Sequence, residues 1–410
     1  MTLSRVRPSH LRVSRRTRRL RVALAGCGVV GGGLLRLIRT RHERIARLHG
    51  VRIDVVSVLV RDVAKPRSER PAEDRLTSEQ AAFLATDADI VVEAIGGIEP
   101  ALAIARHALL RGRAFVTANK ALIAAHGSEL AALADQHGAR LGFEAAVAGG
   151  VPVIRSLREG FGAAPIRSVR GILNGTCNFV LSRIAEGGDF SEAVRRAQEA
   201  GFAEADPSRD LDGRDAADKL AILAWIAFGA DPARLEIGRR GLNSETARLV
   251  AGARSVGGSV RSIAECIRQE DGSLIAGIEP VVVGGSSELA RVHDEQNLVI
   301  VETQDAGTYR LAGPGAGGAP TATAVLADVL AGRRAPLPPA AHIHAVPDAR
   351  PHRWLLLPST DDARALLDSL DVAGDVRGSV IVTAPCSADH LVAQLDRTGR
   401  SDIQRIRFEG

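Results

Sequence analysis

The run RVALAG (21–26) flows directly into GCGVVGGGLLRLI, which places Gly26, Gly28 and Gly31 at G-x-G-x-x-G spacing immediately after a short apolar segment. Strand, tight turn and helix in that order leave a row of backbone amides at a helix N-terminus, where a pyrophosphate can sit. The spacing alone is weak, because any glycine-rich turn satisfies it. Context strengthens it: apolar runs follow at VVSVLV (55–60), DIVVEAIGG (89–97), RAFVTANK (113–120) and RLGFEAAV (140–147), separated by stretches of helical character. Such alternation predicts an α/β fold with a parallel, doubly wound sheet of the Rossmann type. The second strand should end near Val60, where NAD-specific domains commonly place a carboxylate for the ribose 2′-hydroxyl; here Arg61 follows, with Lys65 and Arg67 close behind. Cations there suit the 2′-phosphate of NADP, while Asp62 is adjacent as a ribose acceptor, so NADP leads and NAD stays open.

A chain of 410 residues exceeds one small core and implies two or three domains. Its 45% apolar and 25% charged residues are ordinary for a globular protein. No apolar run reaches the roughly 18 to 20 residues of a membrane span. Cys27, Cys177, Cys266 and Cys386 are scattered, without close pairs or metal-ligand spacing, which fits a reducing cytoplasm. The net charge of +5 resides mostly in the first 21 residues, with eight arginines and no acid. Residues 1–20 are read as a disordered arm, with a transit peptide or a nucleic-acid-binding arm as the rivals. Aromatic residues make up only 3%, leaving few stacking platforms, so no nucleic-acid partner is expected.

Lysine usage is the second strong signal. Of 53 basic residues only Lys65, Lys120 and Lys219 are lysine, so positions that need only positive charge have been filled by arginine. Lysine can cycle its proton where arginine cannot. After Gly213 the chain reads RDAADKLAILAWIAFG, helical in character and apolar on nearly every face beyond Lys219, hence a buried helix. Asp215 and Lys219, at i and i+4, are thereby carried into or beside the interior as a candidate acid and its orienter. Upstream, GFAEADPSRDLDG adds Glu204, Asp206, Asp210 and Asp212; the last three read as turn or capping residues, Glu204 less so.

At this point the chain closely resembles the homoserine dehydrogenases. Residues 197–219 match that family's pattern A-x3-G-F-A-x2-D-P-x2-D-L-x-G-x-D-x3-K at every defined position, and VVEAIGG, FVTANKALIA, FEAAVAGGVPVI, RGILNGTCNF and GPGAGGAPTATAVLADVL agree in order over residues 21–335. The resemblance implies reversible, NADP- or NAD-dependent interconversion of L-homoserine and L-aspartate 4-semialdehyde, on the path to threonine, methionine and isoleucine. It implies Lys219 as proton donor to the aldehyde oxygen with Lys120 as its partner, and Glu204 and Asp215 as carboxylates for the substrate ammonium. The cofactor set would comprise Gly26, Gly28, Val29, Val30, Gly31, Arg61, Lys65, Thr117, Lys120, Gly315 and Gly317. A monovalent cation, Na+ or K+, would be held through Glu144, Val147, Gly149 and Val151. A homodimer is also implied. Cys177 in NGTCN could suggest a thiol nucleophile, but no histidine lies between His137 and His293 to activate it, so an inert packed thiol is expected.

The organisation expected is a nucleotide-binding domain over 21–148, completed by a return at 313–332, and an α+β substrate and dimerisation domain over 149–312. An Ala/Pro linker (333–351) and a small α+β module (352–410) should follow. The tail alternates WLLLP, SVIVTAP and IQRIRFEG with helical stretches, as in a degenerate ACT-like module, although LPSTDDA stands where a ligand-binding turn would be expected. Two rival readings are an NAD(P)-binding sensor or pseudoenzyme, and a reductase of a different semialdehyde.

Overall fold

A computed structural model describes residues 17–69, 71–332, 336–358 and 363–410. Its first sheet is built from β1 (Arg18–Ala25), β2 (Val51–Leu59), β3 (Leu76–Thr77), β4 (Ile90–Glu93), β5 (Ala114–Thr117) and β6 (Leu141–Gly142), all parallel, in the order 3-2-1-4-5-6. Helices α1 (Val29–His49), α2 (Gln80–Ala85), α3 (Ala101–Leu110) and α4 (Lys120–Gln136) alternate with these strands. The apolar run of β1 is buried on both faces. Val22 and Leu24 point into one hydrophobic cluster and Ala23 and Ala25 into another, as a parallel sheet covered on both sides requires. The strand begins at Arg18, inside the span read as a disordered arm, because Arg18 donates its N–H to Gly50 at 2.9 Å and Arg19 and Arg21 pair with Asp54 and Asp87 along the sheet. Most of that arm, residues 1–16, lies outside the described residues.

The middle of the chain carries α5 (Val153–Arg155), β7 (Ile166–Ile172), α6 (Gly175–Ala185), α7 (Phe190–Glu199), α8 (Ser208–Leu211), α9 (Arg214–Phe228), β8 (Gly238–Arg239), α10 (Thr246–Ser255), β9 (Gly258–Arg268), β10 (Leu274–Gly284), β11 (Gln296–Thr303) and β12 (Thr308–Pro314). Helix α9 lies between α4 and the β7–β9 face of the second sheet. Trp225 on α9 is fully buried and stacks on Phe143, ring centroids 5.7 Å apart, and a methyl added at Gly127 of α4 would come within 3.0 Å of its ring. That packing lays the polar first turns of α9 beside the start of α4. The chain then returns through α11 (Gly318–Leu330), whose Ala322 and Val325 join the cluster beneath β1.

The tail runs β13 (Arg353–Leu357), α12 (Ala363–Ser369), β14 (Gly374–Arg377), β15 (Val380–Thr383), α13 (Ala388–Arg397), β16 (Gln404–Glu409), so it has strand-helix-strand-strand-helix-strand order. It does not form a separate sheet. β16 pairs in parallel with β10, Val282 opposite Phe408, and extends the middle sheet to the order 12-11-7-9-10-16-13-15-14. The expected linker is likewise docked: Ala341 exchanges backbone hydrogen bonds with Gly229 and Asp231, and Leu274 with His344 and Val346. Residues 333–335 and the LPSTDDA positions 359–362 lie outside the described residues.

Candidate active site

Asp215 sits in the first turn of α9 and Lys219 one turn on. The Nζ of Lys219 donates to Asp215 Oδ2 at 2.7 Å and to the Leu173 carbonyl, at the end of β7, also at 2.7 Å. Lys120 opens α4, where the Asn119 side chain caps the helix through the Leu122 N–H at 3.1 Å, and its Nζ reaches Asp215 Oδ1 at 2.9 Å. The two lysines singled out from the sequence therefore meet on opposite oxygens of one carboxylate. Asp215 is 5% exposed, and burial unaided would favour its neutral form; Lys219 and Lys120 outweigh that and hold it far below the usual carboxylate range. Burial also disfavours the Lys120 ammonium, but Asp215, followed by Asp210 and Asp218, raises its pKa above that of an ordinary lysine.

Two residues that the sequence reading left without a site role, Asn174 and Asp210, belong to this constellation, and a third, Glu93, joins the strand ends beside the cofactor cleft. Asn174, which begins the turn into α6, donates to Asp210 Oδ1 at 2.7 Å and to Asp215 Oδ2 at 2.8 Å. Asp210 is thus turned towards the cluster and does not act as a cap; α9 starts on Gly213, with no side-chain cap. Burial, and then the Asp215 charge, push the Asp210 carboxyl up. Asp206 and Asp212 keep local turn roles, accepting from the N–H groups of Ser208 and Arg214 at 3.0 Å each. Glu93, fully buried at the end of β4, accepts from Ile95 and Gly96 at 2.7 and 2.9 Å and from the Thr117 hydroxyl, which joins the ends of β4 and β5. The lone acid in the apolar run VVEAIGG and the repeated acids of DPSRDLDG were the available signals for Glu93 and Asp210. Glu204 is exposed, on the loop before α8, outside the contacts that join Asp215 to the lysines. Cys177 is buried with its thiol donating to the Asp210 carbonyl at 3.1 Å; burial, with Asp210 and Asp215 close by, raises its pKa and makes it a poor nucleophile.

Gly26, Gly28 and Val29 line a cleft of about 880 Å³ together with Arg61, Lys65 and Ala94. It opens at the carboxyl ends of β1 and β4, where the strand order reverses, the usual place for a dinucleotide. Gly26 has φ 97°, and a Cβ there would lie 2.5 Å from the Ala94 carbonyl oxygen, so the turn requires glycine. Arg61 and Lys65 are exposed on the rim, while Arg67 is tied back to the Lys65 carbonyl at 2.6 Å and Asp62 bonds the Ala64 N–H at 2.8 Å. Gly318 packs on Val29, which brings the segment with Gly315 and Gly317 against the glycine turn. A Cβ on Gly315 would fall 1.1 Å from Asn297 Oδ1.

The turn through Val147, Gly149 and Val151 stacks on that same segment, Gly150 donating to the Pro314 carbonyl at 3.1 Å. Among the described residues, no hydrogen bond falls on the Val147 or Gly149 carbonyls, and no group of three or more His, Cys, Asp or Glu side chains converges as a metal site. The Glu144 carboxylate accepts from the Ile154 and Arg155 N–H groups at 2.9 and 3.0 Å, which ties it to the start of α5. Among the described residues no helix is long and apolar enough to cross a membrane.

Two family models match the chain: homoserine dehydrogenase over residues 152–330, and homoserine dehydrogenase, NAD binding domain, over residues 26–144. A homoserine dehydrogenase of Corynebacterium glutamicum is 40% identical over 319 residues, covering 76% of this chain and 72% of that protein. The crystal structure of a homoserine dehydrogenase from Thiobacillus denitrificans aligns with a TM-score of 0.86 at 32% identity, over 96% of this chain and 98% of that one. A hyperthermophilic archaeal homoserine dehydrogenase in complex with NADPH aligns with a TM-score of 0.64 at 26% identity, over 76% of this chain and 97% of that one.

Proposed function

The chain belongs to the homoserine dehydrogenase family and is an NAD(P)-dependent oxidoreductase that interconverts L-homoserine and L-aspartate 4-semialdehyde; within that reaction we propose that Lys219 moves the proton. The observation that carries this reading is the fixed geometry of its Nζ. Two of its three N–H bonds are committed to Leu173 and Asp215, and among the described residues the third has no partner. An ammonium so anchored presents one donor in one direction, which suits the oxygen of a carbonyl that becomes an alcohol. Lys120, on the other oxygen of Asp215, helps to keep that carboxylate ionised and adds positive potential beside the developing alkoxide.

Bound in the cleft at the glycine turn, the nicotinamide cofactor supplies or accepts the hydride. Gly26, Gly28, Val29, Val30 and Gly31 would present backbone amides to its pyrophosphate, Thr117 and Lys120 would stand at its nicotinamide end, and Gly315 and Gly317 would close over it. Arg61 and Lys65, exposed on the cleft rim with no carboxylate pairing them among the described residues, favour the 2′-phosphate of NADP. The archaeal relative solved with NADPH supports the same preference. Glu204 and Asp215 would hold the substrate ammonium with unequal duties, since Asp215 already grips both lysines while the Glu204 carboxylate is exposed. The unbonded carbonyls of Val147 and Gly149, with those of Glu144 and Val151, fit a monovalent cation, which prefers neutral oxygen donors; its part would be to stiffen the turn against Gly315. A homodimer is the assembly this reading carries.

The test is spectrophotometric. Purified protein with L-homoserine at alkaline pH should reduce NADP+ faster than NAD+, and omission of Na+ and K+ should lower the rate. Failure to reduce either nucleotide, in protein shown to bind it, would contradict the assignment of Lys219 to a working site.

A further inference from the structure

Asn174 joins four elements of the site through one amide. It follows β7 and caps α6, its Oδ1 accepting from the Cys177 N–H at 2.7 Å. Its Nδ2 gives one hydrogen to Asp210 Oδ1 on α8 and the other to Asp215 Oδ2 on α9, at 2.7 and 2.8 Å. The partners fix the orientation of the amide: a backbone N–H requires an acceptor and two carboxylates require donors, so one of the two flipped states satisfies all three. The residue is 4% exposed, and the residue before it, Leu173, receives the Lys219 Nζ. Two consecutive residues therefore hold both halves of the Lys219–Asp215 pair.

We propose that Asn174 is a positioning residue for hydride transfer, which holds Asp215 in the rotamer that aims Lys219 at the substrate oxygen and keeps Asp210 and Asp215 side by side. The inference rests on the reading of Lys219 as the proton-transferring group. Two carboxylates within hydrogen-bond reach of one nitrogen repel each other, and a neutral group that donates to both relieves this without adding charge. Lys120 from α4 reaches only the far oxygen of Asp215, so it cannot replace the amide. Without those donors Asp215 is held only by the two mobile lysine side chains, its repulsion from Asp210 is unrelieved, and the direction of Lys219 is less closely fixed.

The capping and donor duties of Asn174 can be separated. Aspartate is as good a helix N-cap as asparagine, so Asn174→Asp keeps an acceptor for the Cys177 N–H while it removes both donors and adds a third carboxylate. The charged groups around the new carboxylate are Asp210 from α8, Asp215 and Lys219 from α9 and Lys120 from α4, with the Cys177 thiol of α6 on the Asp210 carbonyl. Asn174→Asp should still bind NADP+ but, unlike Asn174→Ser, which adds no charge, should melt below the parent, because its third carboxylate is buried beside two others. Its kcat should fall about 10²-fold, the cost of misplacing a reacting group by about an ångström. Its residual activity should gain on the parent as the pH falls, because protonation returns one donor to the introduced carboxyl. Asn174→Ser also keeps a cap but is too short to reach both carboxylates, and should show the same loss of kcat. A parental kcat with an unshifted pH profile in either variant overturns the proposal and reduces Asn174 to a cap. Lys219→Arg is measured alongside: if that variant is active, the Lys219 reading itself fails, whereas an inactive Lys219→Arg beside a fully active Asn174→Asp sinks only the role of Asn174.

Discussion

Lys120, at the first position of α4 beneath the nucleotide-binding sheet, meets Asp215, in the first turn of α9, at 2.9 Å. One ion pair thus spans the joint between the part of the chain that builds the cofactor cleft and the part that carries Lys219. Asp215→Asn would keep the shape and remove the charge. Both lysines would lose their shared anion, and Lys120, whose pKa stands above the ordinary lysine value because of it, would fall. A loss in kcat of about 10² to 10³-fold is expected, with cofactor binding retained, read by steady-state kinetics beside nucleotide titration.

Cofactor choice should follow the rim of the cleft. Replacing Arg61 and Lys65 together by serine is expected to lower kcat/KM for NADP+ by about tenfold or more and to leave that for NAD+ within about twofold, since a 2′-phosphate loses two cations and a 2′-hydroxyl loses neither. Equal effects on both nucleotides would remove these residues from the 2′-phosphate site.

The stacked turns beneath the cleft are intolerant of a single carbon. Gly315→Ala would drive its Cβ into Asn297, whose Nδ2 is bonded to the Ile172 carbonyl. A loss of about 1 to 3 kcal/mol is expected from such overpacking, together with weaker cofactor binding. Denaturant titration and nucleotide binding of the one variant measure both.

Trp225→Ala should remove the packing that sets α9 against α4. The ring is fully buried, stacks on Phe143 and donates its indole N–H to the Pro338 carbonyl at 2.9 Å. A cost of about 3 to 5 kcal/mol is expected for a large aromatic removed from a core, seen as a lower denaturation midpoint.

Acid should weaken the contacts of Asp348 with Arg350, His352 and Arg407, which tie the chain before β13 to β16. Burial alone would raise the Asp348 carboxyl, but Arg350 at 2.6 Å and His352 at 2.8 Å hold it well below the usual carboxylate range. A carboxylate depressed in the folded state contributes stability that is complete above its unfolded value, about 3.9, and is lost as the pH falls through the folded value. Stability should therefore be flat from neutral pH down to about 5 and decline below about 4. Asp348→Asn should make that decline shallower, Asp215 contributing the rest of the same window, as thermal melts across the range would show.

The parts of this architecture that were legible in the sequence are those whose cause is local. β1 and its glycine turn were visible because apolar run, glycines and helix are contiguous, and α9 because it is apolar nearly all round yet carries Asp215 and Lys219. Strands β3 and β8 have two residues each, too few for any period to register, whereas the equally short β6 was visible within the apolar run RLGFEAAV. Arg18 and Arg19 read as part of a charged arm, although their backbone belongs to a strand whose partners lie over 30 residues away. The Ala/Pro run before the tail reads as a spacer, and only tertiary pairing with Gly229, Asp231 and Leu274 reveals it as docked chain. Asn174 was passed over for a similar reason, since its two carboxylate partners are 36 and 41 residues away and nothing in NGTCN announces them.

The central claim is that Lys219 moves the proton. The most direct test is the kcat of Lys219→Arg for homoserine oxidation, in protein that binds NADP+ and melts like the parent. Arginine keeps the charge and can still pair with Asp215, but it does not give up its proton. A fall of at least about 10³-fold is predicted; activity within about tenfold of the parent would contradict the account and leave Lys219 a structural cation.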